Sequence, residues 1–174
     1  MKKAILLSMT VLCLLAWLAT PSFACGDKFL VNSVSPKPDD VYQASSPGIV
    51  VIYRNPNSEI AKLFLTSDLE NDLERIGHVV KVVTDLEGLK KELSNSMANL
   101  VIADEADAKE LATQVEASSS RALVMPVVEK SQKDVYKAAK KTYGFALKSS
   151  SRRTATILQV DAAVRKAQKM NPGT

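Results

Sequence analysis

The chain has 174 residues, 46% of them hydrophobic and 24% charged, which is enough apolar content for one domain core and too much for wholesale disorder. Lys and Arg outnumber Asp and Glu by 23 to 19, and the excess shrinks further once Lys2 and Lys3 are set aside, so a nucleic-acid-binding footprint is not supported. The two cysteines are Cys13, within the leader described next, and Cys25, which excludes a disulfide-stapled scaffold.

Lys2 and Lys3 precede an apolar run from Ala4 to Ala19, followed by Pro21 and the small-x-small ending Ser22-Phe23-Ala24. This layout predicts a cleavable secretory signal over residues 1–24, and hence a periplasmic or extracellular product. The run is shorter than the roughly 20 residues that cross a bilayer, so no span is expected after cleavage. Cys25 then stands at the first mature position, as an acylated cysteine would, although Phe23 occupies a place where lipoprotein signals carry a small residue. Lipidation, a free thiol and an intermolecular disulfide all remain open for it.

Residues 25–48 hold Pro36, Pro38 and Pro47 among serines and Asp39-Asp40, and read as an irregular arm with a short apolar anchor, Phe29-Leu30-Val31. From Ile49 the texture changes to short Val- and Ile-rich runs alternating with segments of helical spacing. Ile49 to Tyr53 is a continuous apolar run that suits a strand buried on both faces. Ile60, Leu63 and Phe64 begin a helix, which the capping-box pattern Ser67-Asp68-Leu69-Glu70 starts or restarts and Gly77 ends.

His78 to Val83 is the second expected strand, and Leu86, Leu89 and Leu93 mark the next helix. Asn99 to Asp104 is a third strand, followed by a helix over 107–117 with Ala108, Leu111 and Val115 on its inner side. Leu123 to Val128 supplies a fourth strand, with Pro126 expected at its exit because proline cannot donate to a ladder. Ser131 to Thr142 reads as a helix with Val135, Ala138 and Ala139 inward, Tyr143 to Leu147 as a fifth strand. Ser151 or Thr154 caps a last helix built on Ile157, Val160, Val164 and Ala167, and residues 171–174 form a tail. Alternating strands and helices over residues 49–170 predict an α/β fold, a five-stranded doubly wound parallel sheet between helical layers.

Three segments carry a resemblance to response-regulator receiver domains, the CheY-like branch of the flavodoxin-like fold. They are Leu73-Glu74-Arg75-Ile76-Gly77-His78-Val79-Val80, Asn99-Leu100-Val101-Ile102-Ala103-Asp104 and Gly144-Phe145-Ala146-Leu147-Lys148. The resemblance implies that Asp104 stands at the phosphoacceptor position and Lys148 at the lysine that contacts the phosphate. It also implies a magnesium ion held by an acidic pair after the first strand. Here that place holds Tyr53-Arg54-Asn55, the fourth strand offers no Ser or Thr at its end, and Ser149 follows the lysine. The expectation is a degenerate, non-catalytic receiver-like domain that acts as a protein or ligand interaction module, with no cofactor. The alternative is an atypical phosphoacceptor using Asp104.

Asp104, Lys148 and Arg54 are therefore candidates for one polar pocket at the carboxyl edge of the sheet, or for a structural ion pair there. Glu105 and Asp107 add negative charge beside Asp104. His78 is the sole histidine and reads as structural, and the chain has no Gly-x-Ser-x-Gly elbow, glycine-rich phosphate loop or Cys-x-x-Cys. Lys130, Lys133, Lys137, Lys140 and Lys141 recur at helical spacing and make one positive face. That face is the candidate contact for an unidentified protein or anionic envelope partner.

Overall fold

The computed structural model describes residues 42–95 and 97–170; the expected signal, Cys25, most of the expected arm and the expected tail lie outside them. The described elements all belong to one compact unit, Pro38–Thr174. Its strands are β1 (Ile49–Tyr53), β2 (Val79–Val83), β3 (Leu100–Asp104), β4 (Leu123–Val128) and β5 (Leu147–Lys148). Its helices are α1 (Glu59–Phe64), α2 (Ser67–Arg75), α3 (Leu86–Asn95), α4 (Glu105–Ala117), α5 (Lys133–Tyr143) and α6 (Arg153–Met170). All pairings are parallel and the order is β2-β1-β3-β4-β5, the doubly wound order expected of the CheY-like and flavodoxin-like fold.

Strands β1 and β3 lie in the middle of the sheet and must be apolar on both faces, which is why their sequences do not alternate. Every residue of β3 is buried, and Val50, Val51 and Ile52 of β1 are fully so. On one face Val50, Ile52, Leu100 and Ile102 meet Leu73 of α2 and Val160 and Val164 of α6. On the other, Val51, Tyr53 and Val101 meet Leu89 and Leu93 of α3 and Leu111 of α4. Helix α5 covers Val128 through Ala139.

Glycine closes two helices where the chain must turn through positive φ, Gly77 at φ +106 after α2 and Gly144 at φ +81 after α5. Gly77 was expected there; Gly144 fixes the end of α5 and so corrects the expected fifth strand. Tyr143 is helical, and β5 begins only at Leu147.

Four other expectations are corrected. A helix does restart at Ser67, as one of the two readings allowed, but Ser67 is not its cap: Thr66 holds that place without a side-chain bond, while Glu70 is taken by Arg54. Leu63 faces outward at 80% exposure, because α1 turns Ala61, with Ile60 and Phe64 beside it, toward the core instead. Ala138 is exposed and Tyr136 takes part of its place against β4. Pro126 sits inside β4 in register with Ala103. The Leu123 amide bonds to Asn99 on the β3 side, and strand groups alternate sides, so the amide that Pro126 lacks would face β5. Pairing with β5 starts only at Val127, so no ladder bond is lost there.

Strand β2 forms one edge. Its Val79 amide bonds inward to Gly48, so Val80 and Val82 turn their backbone groups outward, and no described strand pairs with that side.

Candidate functional site

The carboxyl edge of β1 and β3 is held by two helix caps tied to one another. Ser58 caps α1, its Oγ accepting from the Ala61 amide at 3.0 Å, and the same hydroxyl donates to Asp104 Oδ2. Asp104 Oδ1 accepts from the Ala106 amide at 3.2 Å and so caps α4. Asp104 is only 8% exposed, and both of its oxygens are engaged. An aspartate at the end of β3 here joins the start of α1 to the start of α4.

The other two pocket candidates turn elsewhere. Arg54 donates from Nε to the Leu65 carbonyl at 2.6 Å and from its guanidinium to Glu70, which ties the end of β1 to the α1–α2 turn. Lys148 sets its Nζ 4.5 Å above the Tyr136 ring of α5. The structure therefore gives Asp104, Arg54 and Lys148 three separate sets of partners, and no ion pair joins Asp104 to either cation among the described residues.

Asn55 stands where the resemblance calls for an acid. Its amide nitrogen donates to both Asp107 oxygens at 3.0 and 3.1 Å, and its Oδ1 accepts from the Asn57 amide at 2.9 Å. Burial raises the Asp107 pKa, a shift that the Asn55 bond opposes and Asp104 and Glu110 reinforce. Magnesium needs hard oxygens with open lone pairs. The residues after β1 offer a guanidinium and an engaged amide, so they do not fit the ion that the resemblance implies. Among the described residues no three His, Cys, Asp or Glu side chains are grouped to hold a metal, Asp104, Glu105 and Asp107 included.

If Asp104 is a structural staple, Asp104→Ala loses a cap worth about 1 kcal/mol and strands the Ser58 hydroxyl, for a total near 2 kcal/mol. Asp104→Asn keeps an equally good cap and is expected to cost under about 1 kcal/mol. Urea unfolding of the two variants checks the contrast; equal losses would mean that the carboxylate charge itself holds the edge together.

The lysine face is present. Lys133, Lys137, Lys140 and Lys141 are exposed on α5, Lys130 is exposed in the turn before it, and Asp134, 3.5 Å from Lys137, is the only acid on that helix.

A second polar cluster lies at the opposite, amino edge of the sheet, around an acid that the sequence reading did not single out. Asp161 of α6 is fully buried, and its Oδ2 accepts from the Tyr42 hydroxyl at 2.8 Å and Ser45 Oγ at 2.9 Å, with Arg165 Nε at 3.4 Å. His78 faces it, also with no side-chain exposure. Its Nδ1 accepts from the Gly48 amide at 3.3 Å, so the neutral ring carries its proton on Nε2, 3.9 Å from Asp161 Oδ1, and neither of these two atoms has a hydrogen-bond partner. The clue in the sequence was spacing: position 161 is four after Ile157 and three before Val164, on the apolar stripe of α6.

Burial lowers the His78 pKa below its ordinary 6.5, against the opposing pull of Asp161 and of the Gly48 bond. The unfolded chain therefore binds the His78 proton first as pH falls. Stability should be fully present above about pH 6.5 and decline as pH drops below it. Unfolding midpoints between pH 7.5 and pH 5 check this, and a His78→Gln variant should flatten the slope; an unchanged slope would assign it to other groups.

Comparison with known proteins places the fold and no more. No family model matches the chain, and no curated protein matches it. Among solved structures it is similar to full-length FixJ from B. japonicum, at 18% identity and a TM-score of 0.56, over 74% of this chain and 63% of that one. The chain thus spans less than two thirds of that protein's length, and what the two share is a receiver-type α/β fold, CheY-like and flavodoxin-like in strand order.

Proposed function

We propose that this domain is an exported, non-catalytic member of the receiver-like class, working as an interaction module through the lysine face of α5. One observation carries the reading. The three residues at the phosphoacceptor, phosphate-lysine and post-β1 positions are spent on a helix cap, an aromatic ring and a helix turn. An attacking carboxylate whose oxygens are both occupied, with a guanidinium in place of the metal acids, lacks the charge compensation that phosphoryl transfer requires. The export half of the proposal rests on the charged, apolar, small-residue layout of residues 1–24.

Four exposed lysines on one side of α5 suit an acidic partner surface, where electrostatic steering speeds encounter. Amide NMR of the purified protein, titrated with magnesium and then beryllofluoride, tests the first half. A flat titration is expected. Shifts centred on Asp104 and Lys148 that vanish in Asp104→Asn would restore the phosphoacceptor reading. Charge reversal at Lys133 and Lys137 should weaken partner capture about tenfold or more if the α5 face is the contact.

A further inference from the structure

The positive charge of the domain is gathered in one stretch. Residues 129–148 hold six lysines against two acids, Glu129 and Asp134, whereas the rest of residues 42–170 hold 13 basic and 14 acidic side chains. Lys133, Lys137 and Lys140 follow one another at spacings of four and three, so they share the solvent side of α5, and Lys141 stands beside them. The opposite side of the helix belongs to the core, where Ala139 is buried with Val135, Tyr136 and Tyr143 packed beside it. Asp134 neutralises little of this charge, because its pair with Lys137 stands in water, the two side chains being 98% and 78% exposed. Lys166 of α6 extends the charge past the end of α5: its Nζ lies 5.4 Å from the Phe145 ring centre and would meet a Cβ at Gly144 at 3.2 Å.

The make-up of this face selects among partners. Residues 129–148 contain no arginine, while Arg54, Arg75, Arg153 and Arg165 lie elsewhere, each beside a carboxylate. The aromatic rings are not outward anchors either, since Tyr136, Tyr143 and Phe145 pack against core residues. Protein contact surfaces favour aromatic and arginine anchors and are poor in lysine. Lysine is a hydrated point charge on a flexible stem, with no fixed fork to match one partner geometry. An array of such charges suits a fluid layer of anionic headgroups, which offers many phosphates and no fixed register.

We propose that the α5 face docks on an anionic phospholipid bilayer, lying on the headgroups without entering the hydrocarbon. The exposed residues of α5 other than its charged ones are Ala138 and Thr142, so the helix carries no outward apolar wedge. The proposal rests on the α5 reading above and narrows its partner to lipid.

Co-sedimentation of the purified protein with phosphatidylglycerol-rich vesicles, against pure phosphatidylcholine vesicles, tests it at low salt. Binding well above that to the neutral vesicles is expected, and the excess should vanish by about 0.5 M salt. The difference between the two vesicles reads the charge-dependent part, whatever residues 1–41 contribute. Lys133→Glu with Lys137→Glu should lower that part about twentyfold, and the same charge change at exposed Lys90 and Lys91 of α3 by less than about threefold. Equal losses from the two pairs, or equal binding to the two vesicles, would overturn the proposal. Poly-glutamate is the second arm. If the α5 pair governs its binding while the vesicles stay unbound, the partner is an acidic protein surface and lipid is refuted. If the α5 pair alters neither, the lipid proposal and the α5 reading fall together.

Discussion

Asp161→Ala is expected to destabilise the domain by about 3 kcal/mol, set by two hydrogen bonds to a buried charged acceptor. The reason is the number of groups that converge on one carboxylate. Tyr42 and Ser45 donate to Oδ2, Arg165 approaches the same oxygen, and His78 faces the other. Truncation removes both of those hydrogen bonds, whose exposed donors turn to water, and leaves a void at a fully buried position of α6. For a domain stable by about 5–15 kcal/mol, such a loss is a large share of the total. Denaturant unfolding measures it. A loss under about 1 kcal/mol would mean that Tyr42 and Ser45 find other partners at no cost. Asp161→Asn should fall between, since an amide oxygen still accepts but cannot balance Arg165.

The second large effect is expected at Gly48. A Cβ there would lie 2.6 Å from both Asn99 Oδ1 and Val164 Cγ1, closer than real Cβ contacts run. Neither neighbour is free to move. Asn99 Oδ1 accepts from the Ile49 amide at 2.8 Å, and the Asn99 backbone joins Ile49 and Leu123, so it holds the starts of β1, β3 and β4 together. Val164 belongs to the core beneath α6. Gly48→Ala should therefore cost about 3 kcal/mol, from overpacking and a strained hydrogen bond together. Gly88→Ala is the contrast: its Cβ would meet nothing nearer than Asp85 Oδ1 at 3.3 Å and the position is helical, so a change within about 1 kcal/mol is expected. Thermal melts of both variants settle the comparison; similar losses would refute the close-approach argument.

Strand identity was legible wherever burial is two-sided. The run Ile49 to Tyr53 and the run ending in Asp104 could be read because central parallel strands admit no polar alternation. Helix α4 was legible from Ala108, Leu111 and Val115 for the complementary reason, one apolar stripe facing one sheet. Errors arose where a local rule had a tertiary exemption. Pro126 is admitted to β4 because its neighbour β5 is two residues long, a fact about β5 that no property of Pro126 contains. The Ser67 box failed because Glu70 is worth more to Arg54 across the turn than to its own helix start.

The candidate site shows the same division. The positions of Asp104, Lys148 and Arg54 along the chain were right for the carboxyl edge, since strand ends fix them. Their partners were not legible. Side-chain direction at a strand end is set by what the following helices offer, here Ser58, Tyr136 and Glu70. Asp161 went unremarked because its stripe reads as apolar around it, and its partners Tyr42 and Ser45 lie more than a hundred residues away.

The edge of β2 that no described strand pairs with bears on self-association. Val80 and Val82 present outward amides and carbonyls, and Val79 and Val82 are 52% and 38% exposed, a template on which a second molecule would add its own β2. Lys81, at the strand's midpoint, is exposed. Antiparallel addition centred on the strand would place Lys81 directly opposite its own copy, where like charges repel. A lysine at that place has the character of a gatekeeper residue, a charge set within a valine-rich strand that keeps its place in the sheet.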